Sequence, residues 1–182
     1  VRNIFSEVRE GLGKLDVFVA NAASASFETG LDYTVKKFDY AMRANPRAYL
    51  ISVQEAFRLF VERAGHSMEE INEIEENGGD PPEIGGKIIA INSTGNQHYI
   101  PKYIGVATSK AAMITISRYF AYELGKYGTN VNVVSGGPVN TRNMKRFPED
   151  LRERWQEQCP EGRIGEPEDI AYGILYLASD ES

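Results

Sequence analysis

Residues 87–137 read "KIIAINSTGNQHYIPKYIGVATSKAAMITISRYFAYELGKYGTNVNVVSGG", and the change of hydrophobic period along them decides the fold. "KIIAINS" (87–93) is a short apolar run that follows a glycine pair, the mark of a strand buried on both faces. From Tyr103 to Lys126 the spacing predicts one long helix, with Val106, Met113, Phe120 and Leu124 along one side. "TNVNVVSGG" (129–137) then supplies another apolar strand that ends in glycine. Strand, helix and strand of these lengths form a crossover between parallel strands, which is right-handed in nearly all proteins.

The same alternation extends outward. Ile4, Val8 and Leu12 have helical spacing that stops at Gly11 to Gly13, and "LDVFVANAA" (15–23) follows as a buried strand. A helical pattern runs from Thr34 through Phe38 and Met42 to Asn45, where Pro46 must break or restart it. Asn45 reads as the cap of a second helix with Pro46 as its first residue, carrying "AYLISVQEAFRLFVERA" (48–64). The acidic, glycine-rich stretch 65–86 reads as a solvated loop insertion. Beyond the third strand come a basic segment, "TRNMKRFPEDLRERWQEQ", and a last helix with Pro167 and acidic residues in its first turn. The expected architecture is α/β, a doubly wound parallel sheet in three α/β/α layers that binds ligands at the carboxyl ends of its strands. Asn21, Ser93 and the run from Ser135 to Thr141 stand at those ends, and the acidic insertion lies at the opposite end.

Composition narrows the class. A chain of 182 residues with 42% apolar and 25% charged residues suits one globular domain with its own core. The net charge of −6 is spread along the chain, which argues against a nucleic-acid surface. Cys159 is the one cysteine, so neither a disulfide framework nor a cysteine-rich metal site can be built, and a reducing compartment fits best. No apolar run approaches the roughly 18 residues that span a bilayer, and the first residues hold no signal core. A soluble, cytoplasmic protein without a membrane partner is expected.

The chemistry concentrates between Ser93 and Lys110. A helix turns about 100° per residue, so residues seven apart return to nearly one face, and Tyr103 and Lys110 have that separation. An ammonium beside a phenol favours the phenolate and lowers the tyrosine pKa toward a useful range. Ser93, at a strand end facing the helix, can bond the same substrate oxygen. Each residue also has a plainer reading: Tyr99 and Tyr103 as amphipathic aromatics near a helix start, Asn45 and Thr141 as caps, Asn21 and Ala22 as small residues closing a strand. Lys110 lies in "VATSKAAM", a stretch too small and apolar for an ordinary solvated lysine. Glycines 11, 13, 78, 79, 85 and 86 precede strands, so none forms a phosphate-cradling turn, and His98 has no partner at metal-ligand spacing.

"NAASASF", the Asn45 helix break, "IAINSTG", Lys110 followed by "AAM", "VNVVSGGPVNT" and "GRIGEPEDIAYGILYLASDES" together resemble the short-chain dehydrogenase/reductase family over nearly the whole chain. Commoner members place tyrosine four residues before the lysine, where this chain has Val106. Tyr103 instead gives Tyr-x6-Lys, which with "NAAS" and "VSGG" resembles the type III branch of the enoyl-[acyl-carrier-protein] reductases. The resemblance implies a Rossmann-like fold and NADPH or NADH as cofactor. It implies Tyr103 at the developing charge, Lys110 on the nicotinamide ribose, Ser93 or Tyr99 assisting, and Asn45 helping to hold a water near the lysine. Asn21 and Ala22 would lie against the cofactor ribose and adenine-side linkage, Gly136, Gly137 and Pro138 would touch the cofactor, and Thr141 would bond the nicotinamide carboxamide. The substrate would be an acyl thioester, possibly on an acidic carrier protein received by Arg142, Lys145 and Arg146. Helices near 46–64 and 103–126 would form a homodimer or homotetramer.

Two rival expectations remain, a carbonyl or alcohol reductase such as a 3-oxoacyl thioester reductase, and a family-fold scaffold without chemistry. Family members begin with a strand and a glycine-rich pyrophosphate turn and end with one more strand. The chain reads as an internal piece with about three of seven strands, with "VFVA" (17–20) as an open edge. These residues alone are then expected to bind dinucleotide poorly and to fold weakly.

Overall fold

A computed structural model describes all residues 1–182. Helix α1 (Arg2–Leu12) ends at Gly13, whose φ of 72° lets its N–H return to the Arg9 carbonyl. Strand β1 (Val17–Ala20) follows. Helix α2 (Val35–Met42) is capped by the Thr34 hydroxyl, and α3 (Ala48–Arg63) follows it without a break in helical backbone. Between them Arg43–Arg47 forms one π-helical turn. Pro46 has no N–H to give to an α-helical ladder, and the wider turn absorbs the missing bond without ending the helix. Asn45 is therefore not a helix cap; it is buried inside a continuous helical rod.

The acidic insertion also departs from expectation. It holds helix α4 (Met68–Asn77), begun by a reciprocal capping box in which Ser67 bonds the Glu70 N–H and Glu70 bonds the Ser67 N–H. Met68, Ile71 and Ile74 recur every third residue, and Ile71 is buried in the main core. The opposite face is acidic, and Glu75 reaches Lys126 at 2.7 Å and the Tyr127 hydroxyl at 2.6 Å. High net charge had hidden a narrow apolar stripe that the capping box starts. After it, Gly86 takes φ 102° and passes under Phe60, where a Cβ would stand 2.5 Å from the ring. Only glycine lets the chain turn into the sheet there.

Strands β2 (Lys87–Ser93) and β3 (Asn130–Gly136) flank helix α5 (Ile104–Gly125) in sequence. The sheet order is β1-β2-β3, all parallel, with Val17 opposite Lys87 and Lys87 opposite Asn130. Helices α3 and α5 cover one face. There Val53, Ala56, Phe57 and Phe60 meet Ile88, Ala90, Met113 and Val131 in one buried cluster. A short 3-10 turn (Arg142–Arg146), α6 (Glu149–Gln158) and α7 (Pro167–Ala178) complete the chain. Helix α7 lies on the other face, with Ile170 over Gly136 and Gly173 over Val134. Three layers result, as the strand and helix periods predict.

Candidate active site

The carboxyl ends of β2 and β3 open into a cleft of about 480 Å³. Ser93, Tyr103, Val106 and Lys110 line it from β2 and α5, and Gly136, Gly137, Pro138 and Thr141 from the end of β3. The Tyr103 hydroxyl donates to Ser93 Oγ at 3.3 Å. Ser93 Oγ also accepts the Gly95 N–H, which fixes the hydroxyl in the turn after β2.

Lys110 is buried on α5, and its ammonium donates to the Ile91 carbonyl. Burial away from water brings its pKa down to about 8. Burial also pushes the Tyr103 phenol up, with the Ser93 hydrogen bond opposing it. This reverses the expected direction for Tyr103. Loss of water around the phenol outweighs any help from the lysine, whose ammonium is directed at the strand carbonyl.

Asn45 holds three partners at once. Its Oδ1 accepts the Ser24 N–H at 2.8 Å, while its Nδ2 donates to the Ser24 carbonyl and to Ser109 Oγ, both at 2.9 Å. The π-turn thus pins the loop after β1 to the residue before Lys110. Asn92 does the same from the sheet: its Nδ2 donates to the Lys110 carbonyl at 2.9 Å, and its Oδ1 accepts the Ser93 N–H at 2.7 Å.

Other candidates fall outside the cleft. Tyr99 is 89% exposed on the loop before α5 and lines no part of it, which removes it from the group around Ser93. Pro101 and Lys102, the latter at φ 61°, form the turn that follows Tyr99. Asn21 and Ala22 are exposed and line a separate apolar hollow beside β1, with Ile4, Phe18 and Tyr49. The cleft proper begins one residue later, at Ala23. Sequence reasoning missed the aromatic wall formed by Phe27, Phe147 and Trp155. Phe147 sits 5.0 Å from Phe27 and 5.1 Å from Trp155, each edge to face. Aromatics in loops carry no period, so nothing along the chain joins them. Asn92 and Ser109 were legible only as polar residues interrupting apolar stretches.

Comparisons with known proteins bear on the fold and the family. The family model described as enoyl-(acyl carrier protein) reductase matches residues 1–182. A 1-cyclohexenylcarbonyl-CoA reductase of Streptomyces collinus is 28% identical over 99% of this chain and 58% of its own length. An L-rhamnose 1-dehydrogenase (NAD(P)(+)) of Azotobacter vinelandii is 31% identical over 94% of this chain and 60% of its own. A 3-oxoacyl-[acyl-carrier-protein] reductase of Rickettsia conorii is 26% identical, with 100% and 65% covered. A short-chain type dehydrogenase/reductase from Mycobacterium marinum superposes with a TM-score of 0.81 at 27% identity, over 98% of this chain and 63% of that one. The parallel sheet with helices on both faces is a Rossmann-like α/β fold, and the serine, tyrosine and lysine stand at its carboxyl end. The chain belongs to the short-chain dehydrogenase/reductase family. It spans between 58% and 65% of the length of these relatives. No helix is long and apolar enough to cross a membrane.

Proposed function

We propose that the protein is an NAD(P)H-dependent reductase of the carbon–carbon double bond of enoyl thioesters, carried by acyl carrier protein or coenzyme A, as in fatty acid synthesis. The single observation that carries this is the placement of Tyr103 seven residues before Lys110, bonded to Ser93, with Val106 at the position four before the lysine. The enoyl reductase description of the family model and the cyclohexenylcarbonyl-CoA reductase among the relatives support it.

The nicotinamide half of a dinucleotide fits the residues present. A Cβ at Gly137 would meet nothing within 4 Å, so the backbone there faces open space. The buried Lys110 ammonium gives one of its three donors to Ile91, and the Thr141 hydroxyl makes no capping bond. Lys110 and Thr141 would hold the ribose and the carboxamide. Bound there, the reduced nicotinamide would supply the hydride for the β-carbon, and the α-carbon would take the balancing proton from solvent. The Tyr103 phenol faces the negative charge that develops on the thioester oxygen, and its hydroxyl is already oriented by Ser93. Burial keeps that phenol protonated at neutral pH, so it enters the reaction as a hydrogen-bond donor.

Arg142 and Arg146 are exposed at the cleft mouth, and neither they nor Lys145 forms an ion pair. They would receive the phosphates of the carrier or an acidic carrier surface. Exposed Leu50, Ile104, Tyr119 and Tyr122 on α3 and α5 would be covered in a homodimer or homotetramer. Tyr103→Phe in the full-length protein, assayed with a crotonyl thioester, tests the reading, and undiminished turnover would refute it.

A second reading is reduction of a 3-oxoacyl thioester, favoured by the Rickettsia relative. Comparing crotonyl and acetoacetyl thioesters separates the two.

A further inference from the structure

The tyrosine on which the site depends stands outside the helix that carries its lysine. Tyr103 has φ −105° and ψ 4°, one residue ahead of α5. The helix therefore does not set its side-chain direction as it sets that of Lys110. The segment after β1 holds it in three ways. Phe27 stacks on the Tyr103 ring, with centroids 5.9 Å apart and planes inclined by 29°. Glu28 bridges the Tyr103 backbone as a single parallel pair, and its carboxylate is gripped by the Lys37 ammonium. Tyr33 lays its phenol in the notch at Gly105, where a Cβ would stand 1.8 Å from the hydroxyl oxygen. That hydroxyl meets Ser26 Oγ at 2.9 Å and donates to the Lys37 carbonyl at 3.4 Å.

We infer that Phe27 and Tyr33 are positioning residues for the Tyr103 phenol, the loop after β1 doing for this shifted tyrosine what an interior helical position would do. The inference rests on the reading of Tyr103 as the group that meets the developing charge. It accounts for three features at once: an aromatic at residue 27 in an otherwise small-residue loop, glycine at the second residue of α5, and an ion pair anchoring Glu28. Phe147 lies beside both, 6.2 Å from the Tyr103 centroid and 5.0 Å from that of Phe27, so the three rings form one triangle.

Removing the Phe27 ring opens one face of Tyr103 to water, and its pKa, raised by burial, then falls toward the ordinary value. The charged groups around that face are Lys110 from α5, Arg146 from the 3-10 turn, whose guanidinium lies 5.5 Å from the Phe27 centroid, and Glu28 with Lys37. From β2 only the Ser93 hydroxyl faces it. None of these charges is altered by the substitution.

The experiment is a titration of Tyr103 in full-length protein carrying ¹³Cζ-tyrosine, its resonance assigned by its loss in Tyr103→Phe, together with steady-state kinetics on a crotonyl thioester. Phe27→Ala is expected to lower the Tyr103 titration midpoint and to reduce kcat about tenfold, with the cofactor KM within about twofold. Phe27→Tyr, which keeps the ring, is expected to restore both. Gly105→Ala, which evicts Tyr33 and so frees the segment that holds Phe27 against Tyr103, is expected to act like Phe27→Ala and serves if that variant does not fold. An unmoved Tyr103 titration in both Phe27→Ala and Gly105→Ala would overturn the positioning role. A Tyr103 midpoint that falls in Phe27→Ala, with no turnover of thioesters by the wild-type protein, would overturn the proposed function and leave the positioning role standing.

Discussion

Asn45 Nδ2 donates to Ser109 Oγ at 2.9 Å in a fully buried contact, joining the π-turn to α5 immediately before Lys110. The same amide satisfies both backbone groups of Ser24, so loop, π-turn and helix share one side chain. Asn45→Ala leaves the half-buried Ser24 N–H and carbonyl without their side-chain partner. A loss of about 3 kcal/mol is expected, at about 1–3 kcal/mol for each unsatisfied group. It would be measured as a lower urea midpoint at unchanged m-value in the full-length protein.

Tyr103 and Tyr99 should separate cleanly in kinetics. Removing the Tyr103 hydroxyl is expected to lower kcat by about 10²–10³-fold, the range for a lost charge-stabilising donor. Ser93→Ala, which leaves the phenol unoriented, is expected to cost about tenfold. Tyr99→Phe, on an exposed loop outside the cleft, should change kcat/KM less than about twofold.

Lys110 makes stability depend on alkaline pH. Its pKa falls from 10.5 in the unfolded chain to about 8 in the folded one, because burial disfavours the ammonium. Below pH 8 the lysine is charged in both states and its burial is costly; above 10.5 it is neutral in both and the cost is gone. Between those values the unfolded chain binds more protons, so this group's contribution to stability rises with pH, by at most about 3 kcal/mol. Lys110→Met should abolish that rise. Urea unfolding of wild type and variant across the window, with the difference taken at each pH, checks it.

Helix α4 should depend on its cap. Ser67→Ala removes the hydroxyl that accepts the Glu70 N–H and is expected to cost about 1 kcal/mol. Hydrogen exchange should show the loss confined to Met68–Asn77, with the Ser93–Lys110 region unaffected.

The parallel sheet was legible because each element keeps one hydrophobic period: "VFVA", "KIIAINS" and "TNVNVVSGG" became β1, β2 and β3. Tyr103 and Lys110 were found to share a cleft because helical spacing survives one non-helical residue at Tyr103. Asn45 was misread as a cap because the sequence shows that Pro46 removes a donor but not that a π-turn can absorb the loss. The stretch around α4 was misread because its acidic residues masked Met68, Ile71 and Ile74, although Ser67 and Glu70 spelled a capping box. The pKa direction of Tyr103 required knowing that Phe27 and Phe147 cover it, which is a property of loops brought together in three dimensions.

The central claim is tested most directly by the ratio of kcat/KM for a crotonyl thioester to that for an acetoacetyl thioester, measured with the full-length protein and NADPH or NADH. Preference for the crotonyl thioester by more than about tenfold, with the saturated acyl thioester as product, is the predicted result. Preference for the acetoacetyl thioester, or cofactor binding with no turnover of either, would contradict it.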